Sequence, residues 1–156
     1  MLVLTSVACS EDPSATAPFA HVVDACAPIA LTASQNDATG ADLASIGQAS
    51  SLWTAVGVTG PGAPNPIANV AVAFVPAAPG VYGFYDDADL TLEISNALAD
   101  DQRAIVIAHE LGHAFGLVHV PATERASVMN IGNLRIAPTA DDRLAVAALW
   151  GDCANH

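Results

Sequence analysis

Positive charge is scarce in this chain: four Lys and Arg residues stand against sixteen Asp and Glu, a formal net charge of −12 over 156 residues. A surface of that sign repels phosphates, so nucleic acid is excluded as an expected partner. Long apolar runs are also missing. Although 53% of the residues are hydrophobic, no stretch approaches the ~20 apolar residues of a membrane-spanning helix. Pro and Gly are scattered rather than pooled in one linker, and the length suits a single domain with a real core. Cysteine is sparse. Cys9, Cys26 and Cys153 lack the C-x-x-C spacing of a thiolate zinc site or redox pair.

Met1 to Ala8 is apolar and ends in small residues before Cys9, with polar Ser10 to Ser14 directly behind it. This resembles the end of a bacterial lipoprotein signal, in which the Cys becomes lipidated. It departs from that pattern in lacking a preceding basic residue and in carrying Ser6 where an aliphatic is usual; a mildly apolar N-terminus is the plainer alternative. Residues 1–9 are therefore read as a signal remnant with Cys9 as the lipidation candidate, and residues 10–25, rich in Ser, Ala, Pro and Thr, as a flexible tether. The expected location is extracytoplasmic, secreted or lipid-anchored at the cell envelope, with membrane contact only through that anchor. With Cys9 set aside, Cys26 and Cys153 form an even pair. A bridge between them would tie the start of the domain, residues 26–156, to its last helix. Closing so long a loop stabilises by up to ~4–5 kcal/mol in the chain-entropy model; two buried free thiols are the alternative.

Periodicity places the elements. Pro28 to Ala33 is a short apolar run expected as a first strand. Thr39-Gly-Ala-Asp42 has capping-box spacing, and behind it Leu43, Ile46, Ala49, Leu52, Trp53 and Val56 recur at helical intervals, predicting a helix of about 15 residues. Gly57 to Pro66, with three Pro and three Gly, reads as a loop. Asn69 to Pro76 is nearly all apolar, as a central strand would be. Val81–Tyr85 and Leu90–Ser95 are two further strands around an acidic turn. A helix is expected from about Asp100, with Asp100 and Asp101 at its positive end. Another begins after Pro138 with the capping box Thr139-Ala-Asp-Asp142.

The chemistry is concentrated in His109-Glu-Leu-Gly-His-Ala-Phe-Gly-Leu-Val-His119. On a helix, His109 and His113 project from one face about 6 Å apart, close enough to share a zinc ion. Glu110 flanks them ~60° around the axis from His113, beside the metal without being a ligand. Were the helix to continue, His119 would lie ~9 Å further on and ~120° away, out of reach. The chain must stop being helical and double back, and Gly116 stands where that stop is needed. Three protein ligands leave a fourth zinc position open, the arrangement of catalytic sites. His21 and His156 are read as ordinary histidines.

This segment matches the metzincin signature H-E-x-x-H-x-x-G-x-x-H at every fixed position, and the chain resembles the metzincins, closest to matrixins and their small bacterial relatives. The likeness spans roughly residues 28–151, with only the signature and one turn specific. Ser127-Val-Met-Asn130 resembles the metzincin methionine turn, with Met129 as its methionine. The resemblance implies an α+β zincin fold: a twisted mixed sheet, an active-site helix, the methionine turn and a C-terminal helix. It implies a monomeric zinc endopeptidase with His109, His113 and His119 as ligands and Glu110 as catalytic base. Its protein or peptide substrate would lie extended along the edge strand Val81–Tyr85. The wall of the pocket beyond the scissile bond would come from residues around Ile131–Ile136, where Arg135 could favour acidic side chains. Asp86, Asp87 and Asp89 could bind calcium, as matrixins often do, although a solvated acidic turn is the preferred reading of them. Val120 departs from the residue usual after the third His in each subfamily, Ile131 stands where some relatives carry a Tyr, and no matrixin-type cysteine-switch motif is matched well. A zinc-bearing binding module without turnover and a purely structural domain are the competing function classes.

Overall fold

A computed structural model of the chain describes residues 19–156. Cys9, the leader and most of the expected tether lie outside those residues. Four strands and three α-helices follow in the order β1 (Ile29–Ala33), α1 (Gly40–Ala55), β2 (Ala68–Val75), β3 (Gly83–Asp86), β4 (Thr91–Ser95), α2 (Asp100–Ala114) and α3 (Ala140–Trp150), with a closing 3-10 turn at Cys153–Asn155. The architecture is α+β around one mixed sheet of order β1-β2-β4-β3. β1, β2 and β4 run parallel, and β3 pairs antiparallel with β4 at one edge.

Local chemistry accounts for the helix starts. Thr39 and Thr139 each accept from the backbone N–H three residues on, while Asp42 and Asp142 reach back to the threonine N–H, so both capping boxes form. Strand limits differ slightly from expectation. Val81 is held in a turn by its N–H to Ala78 C=O, 3.0 Å, so β3 starts only at Gly83. Leu90 has φ 53, outside the strand region, and β4 begins after it.

α2 is the centre of the molecule. Every residue from Arg103 to Ala114 is buried, the polar Arg103, His109, Glu110 and His113 included. The sheet covers it through Val72, Tyr85, Leu92 and Ile94, and α1 covers it through Trp53 and Ala49. Trp53 Nε1 donates to Ala108 C=O at 3.0 Å, and its ring meets Phe115 edge-on at 5.3 Å between centroids. Trp150 Nε1 donates to Phe115 C=O at 2.8 Å, fastening α3 to the same point. These two indoles hold the last turns of α2, which carry two of the histidines.

The flexible-tether expectation for 10–25 does not describe its last seven residues. Val23 and Ala25 are buried, and Val23 N–H donates to Ala114 C=O at 2.8 Å. Tyr85 hydroxyl donates to His21 C=O at 2.8 Å, and the Phe19 ring lies 5.3 Å from that of His113. The Ser/Pro-rich composition ends before Phe19, and the apolar side chains after it have α2 and β3 to pack on.

Cys26 and Cys153 are joined by a disulfide across 127 positions of sequence, their Cα atoms 4.9 Å apart. The bond closes the segment before β1 onto the end of α3. Reducing it, or replacing both cysteines with Ser, is expected to lower stability by about 2–4 kcal/mol. The check is a urea midpoint measured with and without reductant; an unchanged midpoint would show that the bond contributes nothing. Among the described residues no helix is long and apolar enough to cross a membrane.

Candidate metal centre

α2 ends at Ala114, and the next residues make the turn that the spacing requires. Gly116 has φ +94. Its N–H donates to His113 C=O at 2.8 Å, and Leu117 N–H reaches Gly112 C=O at 2.9 Å. This paired pattern is a Schellman stop. The left-handed residue reverses the chain's direction, and a side chain there would be strained. Behind it, Val120 N–H bonds Met129 C=O at 3.0 Å and Asn130 Nδ2 bonds Val120 C=O at 2.9 Å. The segment carrying His119 is thereby tied to the turn carrying Met129.

The three rings converge. His119 Nε2 lies 3.3 Å from His109 Nε2 and 3.1 Å from His113 Nε2. Two imidazoles bound tetrahedrally to one zinc at 2.0–2.1 Å would have nitrogens ~3.3–3.4 Å apart, so the spacing fits such an ion. The proton positions agree with this. His109 Nδ1 sits 2.7 Å from Val128 C=O and His113 Nδ1 2.8 Å from Leu117 C=O. A carbonyl can only accept, so each Nδ1 carries the proton and each Nε2 turns a lone pair towards the shared point.

Electrostatics keep these rings neutral. Burial lowers the pKa of His109 to about 4, the Val128 carbonyl opposing the shift and His119 adding to it. Burial, then the neighbouring histidines, holds His113 well below its ordinary value. Burial also lowers His119. At neutral pH all three are therefore available as ligands without losing a proton. His109, His113 and His119 form a group that could hold a metal ion.

Glu110 points to the neighbouring side of α2, 1% exposed. β3 crosses directly over it: a methyl group on Gly83 would lie 2.6 Å from Glu110 Oε1. From below, Met129 packs so tightly on Gly112 that a side chain there would meet its sulfur. Residues 127–130 are in turn held by Asp142, fully buried at the start of α3. Its carboxylate accepts from Ser127 hydroxyl, Val128 N–H at 3.0 Å and Arg125 Nη1 at 2.9 Å. Burial alone would push the Asp142 carboxyl up; these bonds and those from Thr139 outweigh it and hold the pKa down. The line Asp142, Val128, His109 thus runs from a helix cap to a candidate ligand.

Sequence reasoning singled out the histidines, Glu110 and Met129, and all of them lie in this one region. It missed Asp142, which shows in sequence only as a cap residue, and Gly83 and Gly112, whose need for a bare Cα arises from packing. The acidic turn does not gather into a cluster. Asp86 Oδ1 accepts from Ala88 N–H at 3.0 Å, Asp87 bonds Ala20 N–H, and among the described residues only the histidines form a potential metal group. His21 is exposed, its Nδ1 2.7 Å from Asp87 C=O, and His156 is exposed on Trp150 C=O. A cavity of about 890 Å³ lies between β1 and α1, and none of these histidines lines it.

Comparison with protein-family models and with curated proteins found no match for the chain. The class of site therefore rests on geometry: a three-histidine group that could hold a metal ion, at the end of a buried helix in an α+β fold.

Proposed function

We propose that the chain is a zinc-dependent endopeptidase of metzincin type, and that Glu110 is its general base. The observation that carries this reading is the convergence of three imidazole rings held neutral by burial, next in sequence to a buried acid that holding a metal does not require. Bound by His109, His113 and His119, zinc would supply the Lewis acidity that activates a water and polarises the scissile carbonyl. Glu110 takes the proton of the attacking water and returns it to the leaving amine. Val128 and Leu117 carbonyls keep two of the ligand rings in the orientation that turns Nε2 towards the third.

Substrate binding falls to β3. Tyr82 C=O accepts from Ser95 N–H at 2.9 Å. Alternation along the antiparallel ladder then turns the backbone groups of Tyr82, Phe84 and Asp86 to β4, and those of Gly83 and Tyr85 to the open edge. A peptide added there as a strand would pass over Glu110. The disulfide fits an oxidising compartment, in keeping with a secreted or envelope-anchored enzyme acting as a monomer on proteins or peptides.

The test is mass spectrometry of peptide-library digests with zinc-loaded protein, with and without chelator, alongside metal analysis. Cleavage that stops on chelation and returns with zinc is the expected outcome. Protein that binds zinc stoichiometrically yet cuts nothing would instead be a binding module, and protein that takes up no zinc would remove both readings.

A further inference from the structure

Over β3 and β4, beside the connection that leads into β3, lies a hollow of about 260 Å³, on the sheet face opposite α2. Val81, Phe84, Ala77 and Pro76 give it apolar walls, and Glu93 is the one charged side chain lining it. Glu93 stands directly across from Phe84 in the β3–β4 register, and both are exposed. The alternate residues, Gly83, Tyr85, Leu92 and Ile94, face the core. The hollow therefore shares a strand with Gly83, whose backbone covers Glu110.

We propose that this hollow is a specificity subsite for a long cationic side chain, Arg or Lys, of the substrate, with Glu93 as the residue that reads its charge. The inference rests on the endopeptidase reading and names the substrate class. Side chains of a strand added to β3 alternate between the two faces, so every second one projects onto the face of Phe84 and Glu93. From the added strand to β4 is two strand spacings, about 10 Å. Short side chains stop at Phe84. A Lys or Arg stem lies along the apolar wall, its cation passes over the Phe84 ring and its head meets the carboxylate. Neutral long side chains gain the wall but not the charge. The net charge of −12 acts in the same sense, drawing cationic peptides towards the protein.

The experiment compares kcat/KM for peptide pairs differing only by Arg against norleucine, placed in turn at each position around the cleaved bond, using zinc-loaded enzyme. At one position Arg is expected to be favoured roughly three- to fivefold, the range of an exposed ion pair. That ratio should fall to about one in Glu93→Gln, invert in Glu93→Arg, and shrink with added salt. Glu93 is exposed, so neither change threatens folding. A ratio near one at every position in the wild type, or a preference that Glu93→Gln leaves intact, overturns the assignment of Glu93 alone. Failure to cleave any peptide overturns the endopeptidase reading with it.

Discussion

Glu110→Ala is expected to lower kcat/KM for peptide cleavage by a factor on the order of 10²–10⁴ while the purified variant still carries its zinc. The two halves of that result separate base from ligand. The three imidazoles converge without Glu110: His109 and His113 are held by the carbonyls of Val128 and Leu117, and His119 by its turn. Removing the carboxylate should leave metal content unchanged. Glu110→Gln is the stricter variant, because it keeps the volume under Gly83, where β3 and Glu110 are already in close contact. It should be nearly as inactive as Glu110→Ala, since an amide cannot take a proton from water. Turnover close to wild type in either variant, with zinc present, would refute the mechanism. Loss of zinc together with loss of activity would mean that Glu110 shapes the site instead.

Asp142→Ala should destabilise the protein by about 2–4 kcal/mol, because it removes a helix cap and leaves the buried Ser127 hydroxyl and Val128 N–H without their acceptor, and should also weaken zinc binding. The second effect distinguishes it from an ordinary cap deletion. Asp142 fixes Val128 through its N–H, and the Val128 carbonyl orients His109. The stability loss is read from urea unfolding, and the affinity loss from competition with a chromogenic chelator. A variant that loses stability but holds zinc as tightly as wild type would break the proposed link.

The same residue predicts how the metal-free protein responds to acid. The Asp142 carboxyl has a depressed pKa in the folded state, so its contribution is present above the ordinary Asp value. That contribution is lost as pH falls through the folded value. The histidines add to this from higher pH. Unfolded, they take up protons near 6.5; folded, His109 does so only at about 4. Stability should therefore start to fall below about pH 6.5 and drop further once Asp142 is protonated. In Asp142→Ala only the histidine part should remain.

Much of this was legible along the chain because it depends on near neighbours. Thr39 and Thr139 announce their helices through an acid three residues on, and both caps form. The interval from His113 to His119, with Gly116 between them, demands a reversal that a helix cannot make, and the chain reverses there. The strand limits were less legible, since a turn at Val81 and the positive φ of Leu90 leave no clear mark in composition. Residues 19–25 read as tether because their small and polar neighbours outweighed Phe19, Val22 and Val23.

What spacing along one chain can dictate is which side chains share a helix face, where the backbone must turn, and hence that His109, Glu110, His113 and His119 belong together. Packing decided the rest. Asp142 beneath Val128, Met129 against Gly112, and β3 over Glu110 each join segments distant in sequence, and no local propensity encodes such meetings. They arise because a buried charge must find donors and a buried helix must be covered on every side. Only in three dimensions could a cap residue become the support of a metal ligand.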